Sequence, residues 1–142
     1  MSHSTSCFVR PFACFAISLS LAACAGQPAA PSLTGTEWRL EALGDSAVME
    51  RSQATLTFPE AGRVAGNGSC NRFFGSVRIT QGHIGFGQMG STKMACMGPA
   101  NEQEARYLAA LQKAERYELQ GRTLLIHVNG MAQPLRFAQT AP

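Results

Sequence analysis

Gly62-Arg63-Val64-Ala65-Gly66-Asn67-Gly68-Ser69-Cys70-Asn71-Arg72-Phe73-Phe74-Gly75 is the stretch on which the fold turns. Gly66, Gly68 and Gly75 permit positive φ or close approach of a second backbone around Cys70. Asn67 and Asn71 carry side chains that hydrogen-bond turn backbone. In an extended segment Phe73 and Phe74 point to opposite faces, so one ring belongs to a core and the other to a surface or groove. Ser69-Cys70 lacks the pattern of a nucleophile elbow. These residue types describe packing and tight turns, not a reaction.

Outward from this stretch the chain alternates polar with apolar residues. Trp38, Leu40 and Ala42 share one face of a strand, with Glu37, Arg39 and Glu41 on the other. Ala54-Thr55-Leu56-Thr57-Phe58 alternates likewise and Pro59 ends it. Val77–Thr80 and Ile84–Phe86 read as short strands around Gln81-Gly82, and Tyr117–Leu119 precedes a turn at Gln120-Gly121. Thr123–Val128 and Leu135–Phe137 flank Asn129-Gly130, the strongest short-range hairpin signal in the chain.

Asn101–Lys113 breaks the strand pattern. Asn101 with Glu104 has the form of a capping box, and Ala105, Leu108 and Leu111 recur on one face of the resulting helix. The expected fold is α+β and mostly β: a small antiparallel, barrel-like sheet of about seven to eight strands with one amphipathic helix. Trp38, Leu56 and Leu125 are expected to fill the barrel.

The N-terminus reads as an export signal. Arg10 precedes an apolar run from Phe12 to Ala23, too short to span a bilayer, which needs about 20 residues. Leu21-Ala22-Ala23-Cys24 resembles a bacterial lipobox, which makes Cys24 the lipidation site and the first residue of the mature protein. The expected division is a lipoprotein signal peptide over 1–23, a flexible tether over 24–32 and one domain over 33–139. Ala25 after the cysteine resembles an outer-membrane address in enteric-type sorting. The expected location is therefore the cell envelope, lipid-anchored in the outer membrane and facing the periplasm. Several acyl chains anchor far more firmly than one.

Removing residues 1–23 from 142 leaves 119, enough for one domain with one core. It also takes Arg10 from the 12 basic side chains, leaving 11 against 9 acidic. A balance so close to neutral argues against a nucleic-acid partner. Cys7 and Cys14 leave with the signal and Cys24 is used by lipid, so Cys70 and Cys96 remain as a pair or as two buried free thiols. Two thiols without neighbouring Cys or His do not make a zinc site. If they pair, the closed loop contributes roughly 3.5 kcal/mol in the chain-entropy model.

Leu33-Thr34-Gly35-Thr36-Glu37-Trp38-Arg39-Leu40, the glycine-rich stretch from Gly62 to Gly75, and Ser91-Thr92-Lys93-Met94-Ala95-Cys96 together resemble the META/HslJ-like domain family. The resemblance covers nearly all of the mature chain in the expected order. It implies a small α+β domain with a barrel-like sheet and a bond between Cys70 and Cys96. It also implies an envelope lipoprotein, one relative being associated with heat shock and novobiocin resistance. It carries no catalytic residue. Met97-Gly98-Pro99 departs from the family pattern, in which a proline commonly follows the second cysteine directly.

Gly85-Phe86-Gly87-Gln88-Met89-Gly90 satisfies G-x-G-x-x-G, but a dinucleotide site also needs a following helix and a later acidic residue. Ser91–Pro99, which follows directly, is not helical in pattern, and the βαβ context is missing. His83 and His127 read as surface or packing residues, and the scattered carboxylates form no acid/base pair. The chain is expected to be a non-enzymatic envelope lipoprotein without cofactor or metal, supporting envelope integrity or stress and antibiotic tolerance. Its expected partners are the membrane, through the lipid anchor, and an unknown envelope protein or apolar ligand. Two alternatives stand beside this: a barrel that binds a lipid or other apolar ligand, broadly like pilot lipoproteins, and a small inhibitor of an envelope hydrolase acting through Ser91–Pro99. The candidate binding or loop residues are Phe73, Phe74 and Met94.

Overall fold

The structure is a computed structural model that describes residues 32–140. The lipobox with Cys24, the signal segment and all of the tether except Ser32 lie outside the described residues. Nine strands and one helix follow in the order β1 (Thr36–Leu43), β2 (Ser46–Ala47), β3 (Thr55–Phe58), β4 (Arg63–Asn67), β5 (Arg72–Thr80), β6 (His83–Ser91), α1 (Pro99–Leu111), β7 (Ala114–Gln120), β8 (Thr123–Val128) and β9 (Leu135–Gln139). All pairings are antiparallel, and β1 pairs with both β3 and β9, which closes eight strands into a barrel. The two-residue β2 pairs with the far end of β1. Closure pairs every strand of the main wall on both sides, although β6 and β7 meet through a single register pair.

Alternation decides which residues fill the barrel. Trp38, Leu40, Leu56, Phe58, Phe73, Leu124, Ile126 and Phe137 are buried inside. Leu125, expected in the interior, is half-buried on the outer face, because Leu124 and Ile126 take the inward positions of β8. Ala42 also departs from its expected face. A register shift between Leu40 and Ala42 inserts one extra residue, so Leu43 turns inward in its place.

β4 and the full lengths of β5 and β6 were not legible as strands. Glycines interrupt their alternation, yet each strand of the β5–β6 hairpin runs nine residues. Gly66 shows why a glycine stands there. A Cβ at this position would lie 2.2 Å from the Thr55 carbonyl oxygen and 2.7 Å from the Phe73 ring. The missing side chain lets Phe73 enter the core. Gly85–Gly90 lies within β6, so the run has no helix behind it and is strand, not a phosphate loop.

Gln81-Gly82 and Gly121 turn as expected, with Gly82 at φ 77° and Gly121 at φ 61°. Asn129-Gly130 does not form a two-residue hairpin. The last β8–β9 pair is Ile126↔Leu135, and Pro134, which has no N–H to give a ladder, lies just outside it.

The helix starts at Pro99 behind Gly98 at φ 73° and has no side-chain cap. Proline fits a first turn, where its missing N–H is not needed. The expected start at Asn101 and its capping box with Glu104 are thereby corrected: Asn101 is exposed and Glu104 turns inward. The buried stripe is Gln103, Glu104, Tyr107, Ala110 and Leu111. Ala105, expected in the core, is exposed, and Leu108 is half-buried. The apolar pattern misplaced the stripe because two of its inward residues are polar. Leu111→Ala is therefore expected to destabilise by about 2–5 kcal/mol. Leu108→Ala should lose less than about 1 kcal/mol, and Ala105→Ser should stay within about 0.5 kcal/mol. Urea unfolding monitored by Trp38 fluorescence measures all three.

The two ends of the described segment meet at one end of the barrel, where Thr36 pairs with Phe58 and the Thr140 amide donates to the Glu37 carbonyl. Following β3 and β4 to their other ends, Thr55 pairs with Asn67, which leads into the Gly68–Asn71 loop. Helix α1 closes this second end.

Candidate functional site

The glycine-rich stretch is held from the helix. The Glu104 carboxylate, 7 % exposed, accepts the backbone N–H groups of Cys70 (3.0 Å) and Asn71 through Oε2, and the Asn71 amide through Oε1 (2.9 Å). Gly68 makes room for it: a Cβ there would lie 2.5 Å from Glu104 Oε2. Ser69 adopts φ 110°, and its amide donates to Asn67 Oδ1 at 2.8 Å. Asn71 carries the network onward. Its Oδ1 accepts the Met94 amide (2.7 Å) and the Thr92 hydroxyl (2.9 Å), tying the Ser91–Cys96 segment to the same clasp.

Gln103, one residue before Glu104, pins a third segment. Its Oε1 accepts the Met49 amide at 2.7 Å, and its Nε2 donates to the Ser52 and Ser69 hydroxyls, each at 2.7 Å. Cys70 and Cys96 are joined as a disulfide across 26 residues. Every buried side-chain polar atom among the described residues has a partner. A buried network satisfied in this way fixes one arrangement of the loops.

What the cluster can do chemically follows from these commitments. Both Glu104 oxygens already accept hydrogen bonds, the two sulfurs are consumed by one another, and Asn71 uses both ends of its amide. The geometry is that of a clasp rather than of groups turned toward a reactant. Among the described residues no group of three His, Cys, Asp or Glu converges as metal ligands would. His83 is exposed, and His127 meets Glu118 at 2.9 Å on the outer face.

The three candidate binding or loop residues separate. Phe73 is 1 % exposed and makes an edge contact with Tyr107, ring centroids 5.9 Å apart, which removes it from any binding role. Phe74 is 61 % exposed and Met94 65 %. Met97, missed in the sequence, is the most exposed large apolar side chain of the described residues. Glu104 and Gln103 were missed as clasp residues, because Glu104 reads as a capping residue and Gln103 lies outside the apolar pattern. The available signal was two adjacent polar residues preceding Tyr107 and Leu111 at helical spacing.

Open grooves mark the outside. One of about 780 Å³ lies where β6 and β7 share the single register pair His83↔Arg116 and then diverge. A second, about 750 Å³, runs beside Met89 and Leu108. A third, about 680 Å³, crosses the outer faces of β1, β3, β4 and β5.

The META domain family model matches residues 31–141. Among solved structures, the chain is similar to a protein from Burkholderia xenovorans determined by NMR, with 28 % identity and a TM-score of 0.65 over 82 % of this chain and 95 % of that one. A second NMR structure matches at 23 % identity and a TM-score of 0.59, over 72 % of this chain and 87 % of the other. A DUF4847 family protein from Bacteroides vulgatus shares the fold at 17 % identity and a TM-score of 0.50, over 63 % of this chain and 61 % of its own. No curated protein matches the chain. With the family model spanning the whole described domain, and its three sequence signatures gathered at a closed barrel and a clasp, the chain belongs to the META domain family.

Proposed function

We propose that this protein is a non-enzymatic, lipid-anchored envelope protein that works as a rigid binding scaffold, supporting envelope integrity or stress tolerance through a partner. The observation that carries this reading is the filled barrel. Tyr107 and Leu111 of α1 pack into the end that a ligand would enter, and Phe73, Phe137 and Leu124 occupy the space behind them. A barrel that held an apolar ligand in its mouth would need that volume open. The lipobox supports the anchor, and the chain enters the domain at the end opposite the clasp, which turns Met94 and Met97 away from the anchored end.

Cys24→Ala is expected to abolish acylation, because the thiol is the atom modified. Metabolic labelling with a fatty-acid analogue in a lipoprotein-processing bacterium measures it, and undiminished label in the variant would remove the anchor. Cross-linking in membranes followed by mass spectrometry should then recover a specific envelope partner with the wild-type chain.

One observation favours a second reading, inhibition of an envelope hydrolase. The segment between β6 and α1 is exposed, yet held by the disulfide and by Asn71, the arrangement of a rigid inhibitory loop. Replacing Met94 and Met97 by Ser would abolish such inhibition while leaving the fold intact.

A further inference from the structure

The outer face of the β1–β3–β4–β5 wall carries two adjacent cross-strand rows. One runs Glu37↔Thr57↔Ala65↔Phe74↔Gly90, and the next Arg39↔Thr55↔Asn67↔Arg72. Thr57, Thr55 and Ala65 keep the floor low beside Asn67, whose main-chain amide donates to the Thr55 hydroxyl, while longer side chains stand at the ends. This is the origin of the trough of about 680 Å³.

Phe74 occupies one end in an unusual way. Gly90, directly opposite it, has no side chain, and a Cβ there would lie 3.1 Å from the ring atoms Cε2 and Cζ. The ring thus rests across the glycine backbone and is 61 % exposed to solvent. Arg39 and Arg72 stand at the two ends of the neighbouring row, three strands apart, or about 14 Å at the usual strand spacing. Among the described residues, the ion pairs formed are Arg63–Glu60, His127–Glu118 and Arg136–Glu41, so neither of these arginines is engaged in one.

We propose that this trough binds an anionic glycan. A sugar lies with its C–H face on the Phe74 ring, and acidic groups along the oligosaccharide pair with the Arg39 and Arg72 guanidiniums. Hydroxyls of the sugar reach Thr55, Thr57 and the Glu37 carboxylate, which supplies an acceptor. An extended peptide fits the site poorly, because β3 and β4 are each paired on both sides and offer no main-chain edge for strand addition. The site offers a ring face, two planar bidentate donors and short hydroxyls, which match sugar rings bearing carboxylates or phosphates. The proposal rests on the reading of the protein as a binding scaffold and names the chemistry of its ligand.

The test is titration calorimetry of the purified full-length chain in detergent, with tetragalacturonic acid as the probe and its methyl ester as the uncharged control. The expected result is saturable binding that weakens at least about tenfold in Phe74→Ala and in Arg39→Ala/Arg72→Ala, with the methyl ester also weaker by about tenfold or more. Arg106→Ala, on the exposed face of α1, should bind as wild type does. Absence of saturable binding, equal binding by Phe74→Ala, or equal competition by a polyglutamate of the same charge would each overturn the glycan site. Those outcomes leave the anchor untouched, since fatty-acid labelling at Cys24 reads it independently.

Discussion

Glu104→Ala is expected to destabilise the protein by about 3–5 kcal/mol, since removing the acceptor leaves three donors unpaired and each costs about 1–3 kcal/mol when buried. The three are the N–H groups of Cys70 and Asn71 and the Asn71 side-chain amide. The substitution also empties the space that Gly68 provides. Glu104→Gln separates the contributions. Its carbonyl can still accept both main-chain groups, but its NH₂ then faces the NH₂ of Asn71. Adding Asn71→Asp turns that clash into a donor–acceptor pair. The double variant should therefore recover part of the loss, as read by urea denaturation in a double-mutant cycle.

Tyr107→Ala is expected to lose a similar amount, about 3–5 kcal/mol, as for other large aromatic truncations in a core. Tyr107 is fully buried between Phe73 and Phe137, and its hydroxyl donates to the Thr55 carbonyl at 3.2 Å. Tyr107→Phe keeps the ring and should lose only about 1 kcal/mol for the hydrogen bond. The two variants also differ with pH. Burial raises the Tyr107 phenol well above its ordinary 10.0, because the phenolate would be stripped of water. An acid whose folded value is raised keeps its full contribution below the unfolded value. That contribution is then lost as pH climbs from about 10 toward the folded value. Wild-type stability should accordingly fall above pH 10, and the fall should be shallower in Tyr107→Phe, as read by thermal unfolding across pH 8 to 11.

The barrel was legible where side chains alternate cleanly. β1 and β3 announced themselves through Trp38, Leu40, Leu56 and Phe58, and the turns at Gly82 and Gly121 followed from the residues around them. Legibility ended where a glycine replaced the inward residue, as at Gly66, or where a bulge shifted the period, as at Ala42. In both places the missing information is about a neighbouring strand, which single-sequence periodicity does not contain. The helix was found but rotated. Its inward face includes Gln103 and Glu104, polar residues whose burial is intelligible only once the loops that they clasp are in place.

The candidate site was legible in part for the same reason. Arithmetic left Cys70 and Cys96 as a pair or as two free thiols, and the family resemblance implied their bond, whereas the division of labour between Phe73 and Phe74 followed from alternation. The Glu104 clasp depends on contacts more than thirty residues apart, and the Arg39/Arg72 row on registers across four strands. In this chain the glycine-rich stretch thus builds a structural clasp: a glycine that admits a carboxylate, an asparagine that relays it and a disulfide beside it.

Hydrogen exchange at the Cys70 and Asn71 amides tests that claim most directly. Both lie in a loop, where exchange is ordinarily fast, but here both donate to the buried Glu104 carboxylate. In the full-length protein the two amides should exchange as slowly as core strand amides such as Leu56 and Leu124, and should become fast in Glu104→Ala under conditions where those strands stay protected. Rapid exchange at Cys70 and Asn71 in the wild-type protein, comparable with the exposed Lys93 amide, would contradict the clasp.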